Sequence, residues 1–555
     1  MKRAQAPAHV LFILACASAP ACGLNQSGVD PPKDTIAYPA SAVMDRHGDW
    51  LFVTNSNADL RFNDGSLMAF SLKRAEQDRM TAAQLERCKA VNYDNPVGDP
   101  IDLCCRDPLD PNLINCDERQ YIGDATDAPY SMGEGNGNGN VRIGSFAAGM
   151  VRQALELIPS EPPVRNPKQT ACPILQPNPD YDPYKPEEHP PAVQCDVCAD
   201  YTYPDDRLMI GVRGDTSLTF IDVESRGPDL TPLMKCVGPV TTPEAKNDFT
   251  TCDDAHRVIT AMSGLATPSE DPNPPDIPLP DEPYALAVDA HDGLLFIGHL
   301  SGNTTRPFTG GFSLFDISPG GTAGQMEPVA TPGQIGGHLG APRFIAPFPA
   351  PFSPNSVGSL GVTTLTESGG TVYASSRYAP QVSGLGTTAT CPAAANNAPV
   401  REIAAFPNGA NYNPPLAGTE TRGIQFIGSD AFVLQRSPPA LIRFDATRTP
   451  TDILETCSSP TFLDKYDSGV GDHLFVTCFA DGEIYVYDPT IPRLVKTFAV
   501  GRGPSGLVFD NTNGRNVAYV VGFGDNNISV IDLVPNSLTE YHVVQHIGFP
   551  RVAPR

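Results

Sequence analysis

The stretch Gly503–Leu533, GPSGLVFDNTNGRNVAYVVGFGDNNISVIDL, decides how the chain folds. Gly503-Pro504-Ser505 opens it as a turn, Gly506 to Phe509 is a short apolar run, and Asp510 to Arg515 turns again. Val517 to Val521 forms a second apolar run, and Gly524 to Asn527 leads into a third, Ile528 to Leu533. Short runs rich in Val, Ile, Tyr and Phe, bounded by clusters of Gly, Asn and Asp, are the pattern of strands joined by tight reversals. A fourth run follows at Val543 to Ile547. The unit is therefore a four-stranded meander, with strands a, b, c and d.

The b and c strands of this unit recur along the chain. Copies lie at Leu51 to Asn55 with Ser66 to Leu72, Leu208 to Val212 with Ser217 to Val223, and Leu295 to His299 with Phe312 to Ile317. Three more lie at Val372 to Ser376 with Gln381 onward, Ala431 to Gln435 with Ala440 to Ala446, and Leu474 to Cys478 with Glu483 to Asp488. With the parent unit there are seven. Multi-stranded units that repeat every ~40 to 50 residues point to a propeller rather than a solenoid. Asp222, Asp316, Asp445, Asp488 and Asp532 each close a c strand, where a carboxylate can cap the next turn. The expectation is an all-β chain folded as a seven-bladed β-propeller.

The stretches Leu51-Phe52-Val53-Thr54-Asn55, Leu474-Phe475-Val476-Thr477-Cys478, Val500 to Leu507 and Ile528 to Asp532 resemble the YVTN-type β-propeller repeats of secreted bacterial proteins. The resemblance covers roughly residues 35–550 and departs in blades 2 and 4, where the glycine and asparagine positions are poorly kept. It implies the fold and not an activity, since that family's functions are diverse.

Composition agrees with many strands joined by turns. The 555 residues include 58 Pro and 49 Gly, and only 18% are charged. Repetition absorbs a length that would otherwise suggest several domains into one ring. Helical periodicity is confined to Ala75 to Ala90 and Met150 to Ile158. A net charge of -25 argues against nucleic acid as a partner.

The N-terminus reads as an export signal over residues 1–21, with Lys2 and Arg3, the apolar run Val10 to Ala15, and the small residues Ala19-Pro20-Ala21 before Cys22. A cysteine after small residues resembles a bacterial lipobox, which makes Cys22 the expected lipid anchor. Cys16 is the competitor. Of 14 cysteines, removing Cys16 with the signal and Cys22 as the anchor leaves twelve, an even set suited to an oxidising compartment. Residues 22–34 then form a tether, residues 35–550 the ring, and 551–555 a tail. The membrane is met through lipid, probed further by no run of the ~20 apolar residues that a spanning helix needs. The expected address is the bacterial cell envelope, at the outer membrane.

Two insertions interrupt the repeats, 73–139 in blade 1 and 154–205 in blade 2. Both connections leave a blade on the same side, so they are expected to pile up as a disulfide-stapled cap on one face of the disc. Cys104 and Cys105 are adjacent, and a bridge between neighbours is strained, so each should pair elsewhere. Cys195 and Cys198 have no second Cys pair or following His, so they read as disulfide partners rather than metal ligands. The terminal run Val543 to Gly548 is strand d of the last blade, beside a first strand at Ala40 to Met44, which closes the ring.

Ligands of propellers are expected at the b-to-c and d-to-a loops around the channel. Alignment of the b strands puts Arg213, Arg377 and Arg436 at one position in blades 2, 4 and 5, with His299 one residue earlier in blade 3. This cationic arc suits a carboxylate, phosphate or acidic sugar; the alternative is that each arginine pairs with an acid on the next blade. The long b-to-c loops of blades 1 and 3 both offer Arg and Phe, as Arg61 with Phe62 and Arg306 with Phe308, a pattern that reads either as a clamp or as loops plugged by their own phenylalanines. No nucleophile elbow, zinc motif, P-loop or haem-attachment motif is present, so no catalytic residues, metal ligands or cofactor are assigned. The expected role is a platform for an anionic small molecule, glycan or protein. The alternative is a propeller hydrolase such as a lactonase.

Overall fold

A computed structural model describes residues 30–88, 104–123, 139–154, 175–177, 192–194, 206–225, 227–237, 252, 257–258, 260–261, 277–278, 282–289, 294–300, 312–316, 343–347, 362–368, 371–376, 381–387, 400–407, 419–469 and 471–548. The chain is mostly β-strand in several sheets. Among the described residues, seven sheets each contain a run of four antiparallel strands in chain order. Sheet 1 comprises Pro39–Met44, Trp50–Asn55, Gly65–Ser71 and Asn140–Ile143. Sheet 2 comprises Ala147–Ala154, Asp206–Val212, Ser217–Glu224 and Leu233–Val237. Sheets 3 to 7 begin at Pro283–Asp289, Val362–Ser368, Thr419–Ile427, Pro460–Asp467 and Pro504–Asp510.

These first strands pack against one another in sequence order, and the first strand of sheet 1 also packs against that of sheet 7, so the seven make a closed circuit. Every second strand lies between neighbouring sheets. Trp50–Asn55, Asp206–Val212 and Val517–Gly522 are buried along their whole length. Burial on both faces explains why these strands read as continuous apolar runs rather than alternating ones. The apolar core is correspondingly divided among the sheet-to-sheet seams: Trp50, Phe52, Leu208 and Ile210 fill that between sheets 1 and 2, and Phe432, Leu434, Leu463 and Val476 that between sheets 5 and 6. The approach is close. A Cβ built on Gly423 would lie 2.4 Å from Leu463 Cβ of the next sheet.

Each first strand shifts register against its second strand near the end that faces the b-to-c loops, as between Pro39 and Ser41, Pro283 and Ala285, and Pro504 and Gly506. The same irregularity occurs in the other four sheets. An extra residue there kinks and twists the strand. Proline suits its first position, because an edge strand leaves that N–H without a ladder partner.

The turn caps expected of the c-strand aspartates form at three of them. Asp445 Oδ1 accepts from Thr447 N at 2.8 Å, Asp488 Oδ1 from Thr490 N at 2.9 Å, and Asp532 Oδ1 from Val534 N at 2.9 Å. Asp222 instead binds the buried Arg207, 2.6 Å from its Nε. The side chain of Asp316 lies outside what is described.

The helical expectations fare differently. Leu72–Thr81 is an α-helix, shorter and earlier than expected, capped by Ser71, whose Oγ accepts from Arg74 N, and followed by a single 3-10 turn at Ala82–Gln84. The helix expected from Met150 is instead strand as far as Ala154, hydrogen-bonded along Asp206–Val212. Pairing with a buried neighbour overrides a weak local preference.

Cys88 bonds Cys105 and Cys104 bonds Cys116, so the adjacent cysteines do have different partners. Cys236–Cys252 and Cys457–Cys478 are also bonded. The segment carrying the first two bridges departs from the expected cap. Ile114–Cys116 pairs in parallel with Gln545–Ile547, and Cys104–Arg106 pairs with Ile114–Cys116, so the segment extends sheet 7 to six strands at its outer edge. The exposed ladder of the last strand is thereby covered. The small sheet Leu175–Pro177 with Ala192–Gln194 is what is described of the second insertion.

The seam between sheets 7 and 1 joins the two ends of the chain. Ser505 Oγ donates to Pro39 O at 3.0 Å, and Arg515 reaches Asp510 at 3.0 Å, Glu76 at 2.9 Å, and the carbonyl of Gly48.

Candidate functional site

The first strands surround a cavity of about 890 Å3 to which every sheet contributes, through Ala42, Val151, Leu286, Leu365, Arg422, Phe462 and Leu507. We call the end where the first strands begin and the second strands end its mouth. There the backbone is strained: Tyr38, Phe146, Glu282 and Glu420 have φ of 51°, 59°, 53° and 58°. Non-glycine residues in this left-handed region cost roughly 1 kcal/mol or more each, and such strain collects at functional sites.

Glu282 and Glu420 use that conformation to reach arginines. Arg213 Nη2 donates to Glu282 Oε1 at 2.8 Å, an ion pair between sheets 2 and 3. The Arg213 guanidinium also lies over the Tyr284 ring, 5.8 Å from its centroid. Arg422 Nη1 donates to the Tyr284 hydroxyl at 3.1 Å, and Glu420 stands 3.5 Å from Arg422 Nη2 and 3.8 Å from Arg436 Nε. Three guanidinium groups thus meet two carboxylates around sheets 2, 3 and 5. Three polar atoms here are buried with no hydrogen-bond partner among the described residues: Arg213 Nε, Arg422 Nε and Thr363 Oγ1. All three residues line the cavity.

The remaining arc of the mouth is aromatic. Phe479 of sheet 6 and Phe523 of sheet 7 have ring centroids 6.0 Å apart, and Tyr38 of sheet 1 stands 5.4 Å from Phe523. Phe479 is 37% exposed although it belongs to the cavity lining.

At the other end, Asp206 is buried and accepts from Arg46 N at 3.0 Å and Arg152 Nη1 at 2.8 Å. Asp464 accepts from Gln425 Nε2 at 3.0 Å, and burial pushes its carboxyl up to about 6 against the opposing pull of the Lys465 N–H. Burial likewise raises Asp45, although Trp50 N and Asp49 N donate to its Oδ1.

Of the residues singled out from sequence, Arg213 lines the cavity, Arg436 pairs with Glu420 beside it, and His299 is fully buried and away from the lining. Arg61 is exposed and paired with Asp59 at 2.9 Å, while the backbone of Phe62 is held by Asn57 through bonds of 3.0 and 2.7 Å; neither lines the cavity. Arg306, Phe308, Arg377 and Cys22 lie outside the described residues. Sequence reasoning missed Tyr284, Thr363, Arg422, Phe479 and Phe523. A signal existed for one of them: Phe479 occupies the position after strand b where other blades carry Arg213 and Arg436.

No family model matches the chain, and no curated protein matches it. Among solved structures it is similar to the hydrazine synthase of Kuenenia stuttgartiensis, with 9% identity and a TM-score of 0.39 over 93% of this chain and 99% of that one. It is also similar to the periplasmic gluconolactonase PpgL of Pseudomonas aeruginosa, with 16% identity and a TM-score of 0.37 over 63% of this chain and 85% of that one. A protein of unknown function from Desulfotomaculum acetoxidans has 10% identity and a TM-score of 0.33, over 64% and 92%.

Proposed function

We propose that the chain is a seven-bladed β-propeller of the bacterial cell envelope, held by lipid on Cys22, whose axial cavity binds a small anionic ligand at its mouth. The seven sheets are its blades, and four disulfides among the described residues suit an oxidising compartment. One observation carries the ligand reading. Arg213 and Arg422 line one sector of the cavity, and Arg436 shares Glu420 with Arg422 beside it. Guanidinium groups on a cavity wall are charge-assisted donors suited to a carboxylate or phosphate. Among the described residues three arginines meet two glutamates there, which favours an anion as the entrant.

The test is calorimetric titration of the exported protein with acetate, phosphate, glucuronate and glucose, repeated on Arg422→Gln and Arg213→Gln. Binding of at least one anion, weakened about tenfold or more by either substitution, is the expected result. An anion that binds both variants as well as the parent, or no binding at all, overturns the reading. Turnover of a lactone by the same preparation would favour the hydrolase instead. Mass spectrometry of the mature N-terminus tests the anchor, which requires a diacylated or triacylated Cys22.

A further inference from the structure

We propose that the entrant is an amphipathic anion, of the class of hydrophobic carboxylic acids, with its charge on Arg213 and Arg422 and its apolar body along the cavity wall of sheets 1 and 2. This rests on the anion reading of the mouth and adds what the adjoining wall contributes. That wall is apolar and open. The first strand of sheet 1 is half-buried at every position from Ala40 to Met44, and Ala148 and Val151 in the first strand of sheet 2 are half-buried as well. Ala40, Ala42, Met44, Ala148 and Val151 all line the cavity. The corresponding strand of sheet 4 is closed by contrast, since Val362 to Leu365 are buried throughout.

The wall adjoins the arginines directly. Phe146 O accepts from Arg213 N at 3.1 Å, two residues before Ala148. A Cβ built on Gly149 would lie 2.6 Å from the carbonyl oxygen of Tyr284, whose ring lies 5.8 Å from the Arg213 guanidinium and whose hydroxyl accepts from Arg422 at 3.1 Å. The backbone of the wall therefore touches the residue that touches both guanidinium groups, which puts wall and charges within reach of one small molecule. From there the apolar surface follows the strands until charged side chains close it, Asp45 and Arg46 in sheet 1 and Arg152 in sheet 2. Ala40 to Met44 spans about 13 Å at ~3.3 Å per residue, with Ser41 its one polar side chain. A hydrocarbon body laid along this stretch removes alanine and valine side chains from water, whereas a hydroxylated body would give up its own hydrogen bonds to water against them. The cavity of about 890 Å3 is of small-molecule size.

The experiment is calorimetry on the whole protein with acetate, butyrate, hexanoate, octanoate and glucuronate, using the parent chain, Val151→Thr, Ala148→Leu and Arg422→Gln. In the parent, affinity is expected to rise roughly two- to fourfold with each methylene from acetate to hexanoate, because every CH2 that leaves water adds a similar increment. Hexanoate should bind at least about tenfold more tightly than glucuronate. Val151→Thr keeps the shape of the wall and adds a hydroxyl, so the ratio of octanoate to acetate affinity should fall about threefold or more. Ala148→Leu fills the space beside the arginines and should flatten the series. Arg422→Gln should weaken every acid by a similar factor. Affinity independent of chain length, glucuronate bound more tightly than hexanoate, or a chain-length series untouched by both wall variants overturns the amphipathic assignment and leaves the anion reading standing. Failure of every anion, or affinities unchanged by Arg422→Gln, overturns both.

Discussion

The hydroxyl of Tyr284 accepts a hydrogen bond from Arg422 Nη1 at 3.1 Å, so a side chain of the third sheet reaches one of the fifth past the first strand of the fourth. The same ring carries Arg213 on its face. One tyrosine therefore orients both arginines of the mouth. Tyr284→Phe keeps the face and removes the hydroxyl, and a hydrogen bond of this kind contributes about 0.5 to 1.5 kcal/mol, so affinity for an anion should fall roughly two- to tenfold. Titration of the variant decides the matter. Unchanged affinity would mean that Arg422 is held by Glu420 alone.

Arg515 ties the last sheet to the first. Its side chain is 3% exposed and meets Asp510, itself fully buried, at 3.0 Å and Glu76 at 2.9 Å. Removing one partner of a buried ion pair leaves the other charge uncompensated, at a cost of about 3 to 5 kcal/mol. Arg515→Met should lower stability by that order in urea unfolding. A loss below about 1 kcal/mol would show that the seam is carried by its apolar cluster of Val53, Phe70, Tyr519 and Val530 instead.

The strands were readable from sequence and the site was not, for a physical reason. Second strands such as Leu474 to Cys478 are sandwiched between sheets, so burial writes them as apolar runs, and third strands such as Glu483 to Asp488 set buried Ile484 and Val486 between half-buried Glu483 and Tyr485. First strands are kinked by a register shift, as at Thr421 to Gly423, and which of their residues faces the axis depends on where that shift falls. Arg422 sits inside one such shift, invisible to any pattern of period two. Tyr284 sits in another, between Pro283 and Ala285. The edge strand Ile114–Cys116 was hidden differently. Its partner Gln545 lies more than four hundred residues away, and three residues carry too little pattern to declare a strand.

Asp464 gives a pH signature. Its carboxyl is raised from an ordinary 3.8 to about 6 by burial. For a raised carboxyl the favourable contribution is complete below the unfolded value and is lost as pH climbs through the folded one, because the unfolded chain releases its proton first. Asp464→Asn stays neutral at every pH and keeps an oxygen for Gln425 Nε2. The variant should match the parent near pH 4 and exceed it above pH 6. A full shift would be worth ~3 kcal/mol, and partial solvent access at the cavity wall reduces this to about 1 to 2 kcal/mol. Thermal midpoints across that range measure it. A difference that does not change with pH would show that Asp464 is ionised throughout.

The bridge Cys104–Cys116 fixes the segment that covers the outer edge of sheet 7. Gln545 lies beneath it, fully buried, donating from Nε2 to the Tyr121 hydroxyl at 3.0 Å and accepting from Arg79 Nη1 at 2.9 Å. The cover and the helix Leu72–Thr81 together satisfy both ends of that amide, and the cover pairs the backbone ladder of Gln545–Ile547. The two cysteines are 12 residues apart, and closing a loop of this size stabilises by about 2 to 4 kcal/mol, chiefly by restricting the unfolded chain. Replacing both by serine should lower the free energy of unfolding by an amount in that range, read from denaturant titration. It should also let the cover lift more often, exposing an unpaired strand edge that is a template for another chain. Size-exclusion chromatography after mild heating should then show dimers or larger species for the variant and none for the parent. A variant that loses stability and stays monomeric would mean that the parallel pairing at Ile114–Cys116 outlasts the bridge, and that the edge is held by Gln545, Tyr121 and Arg79.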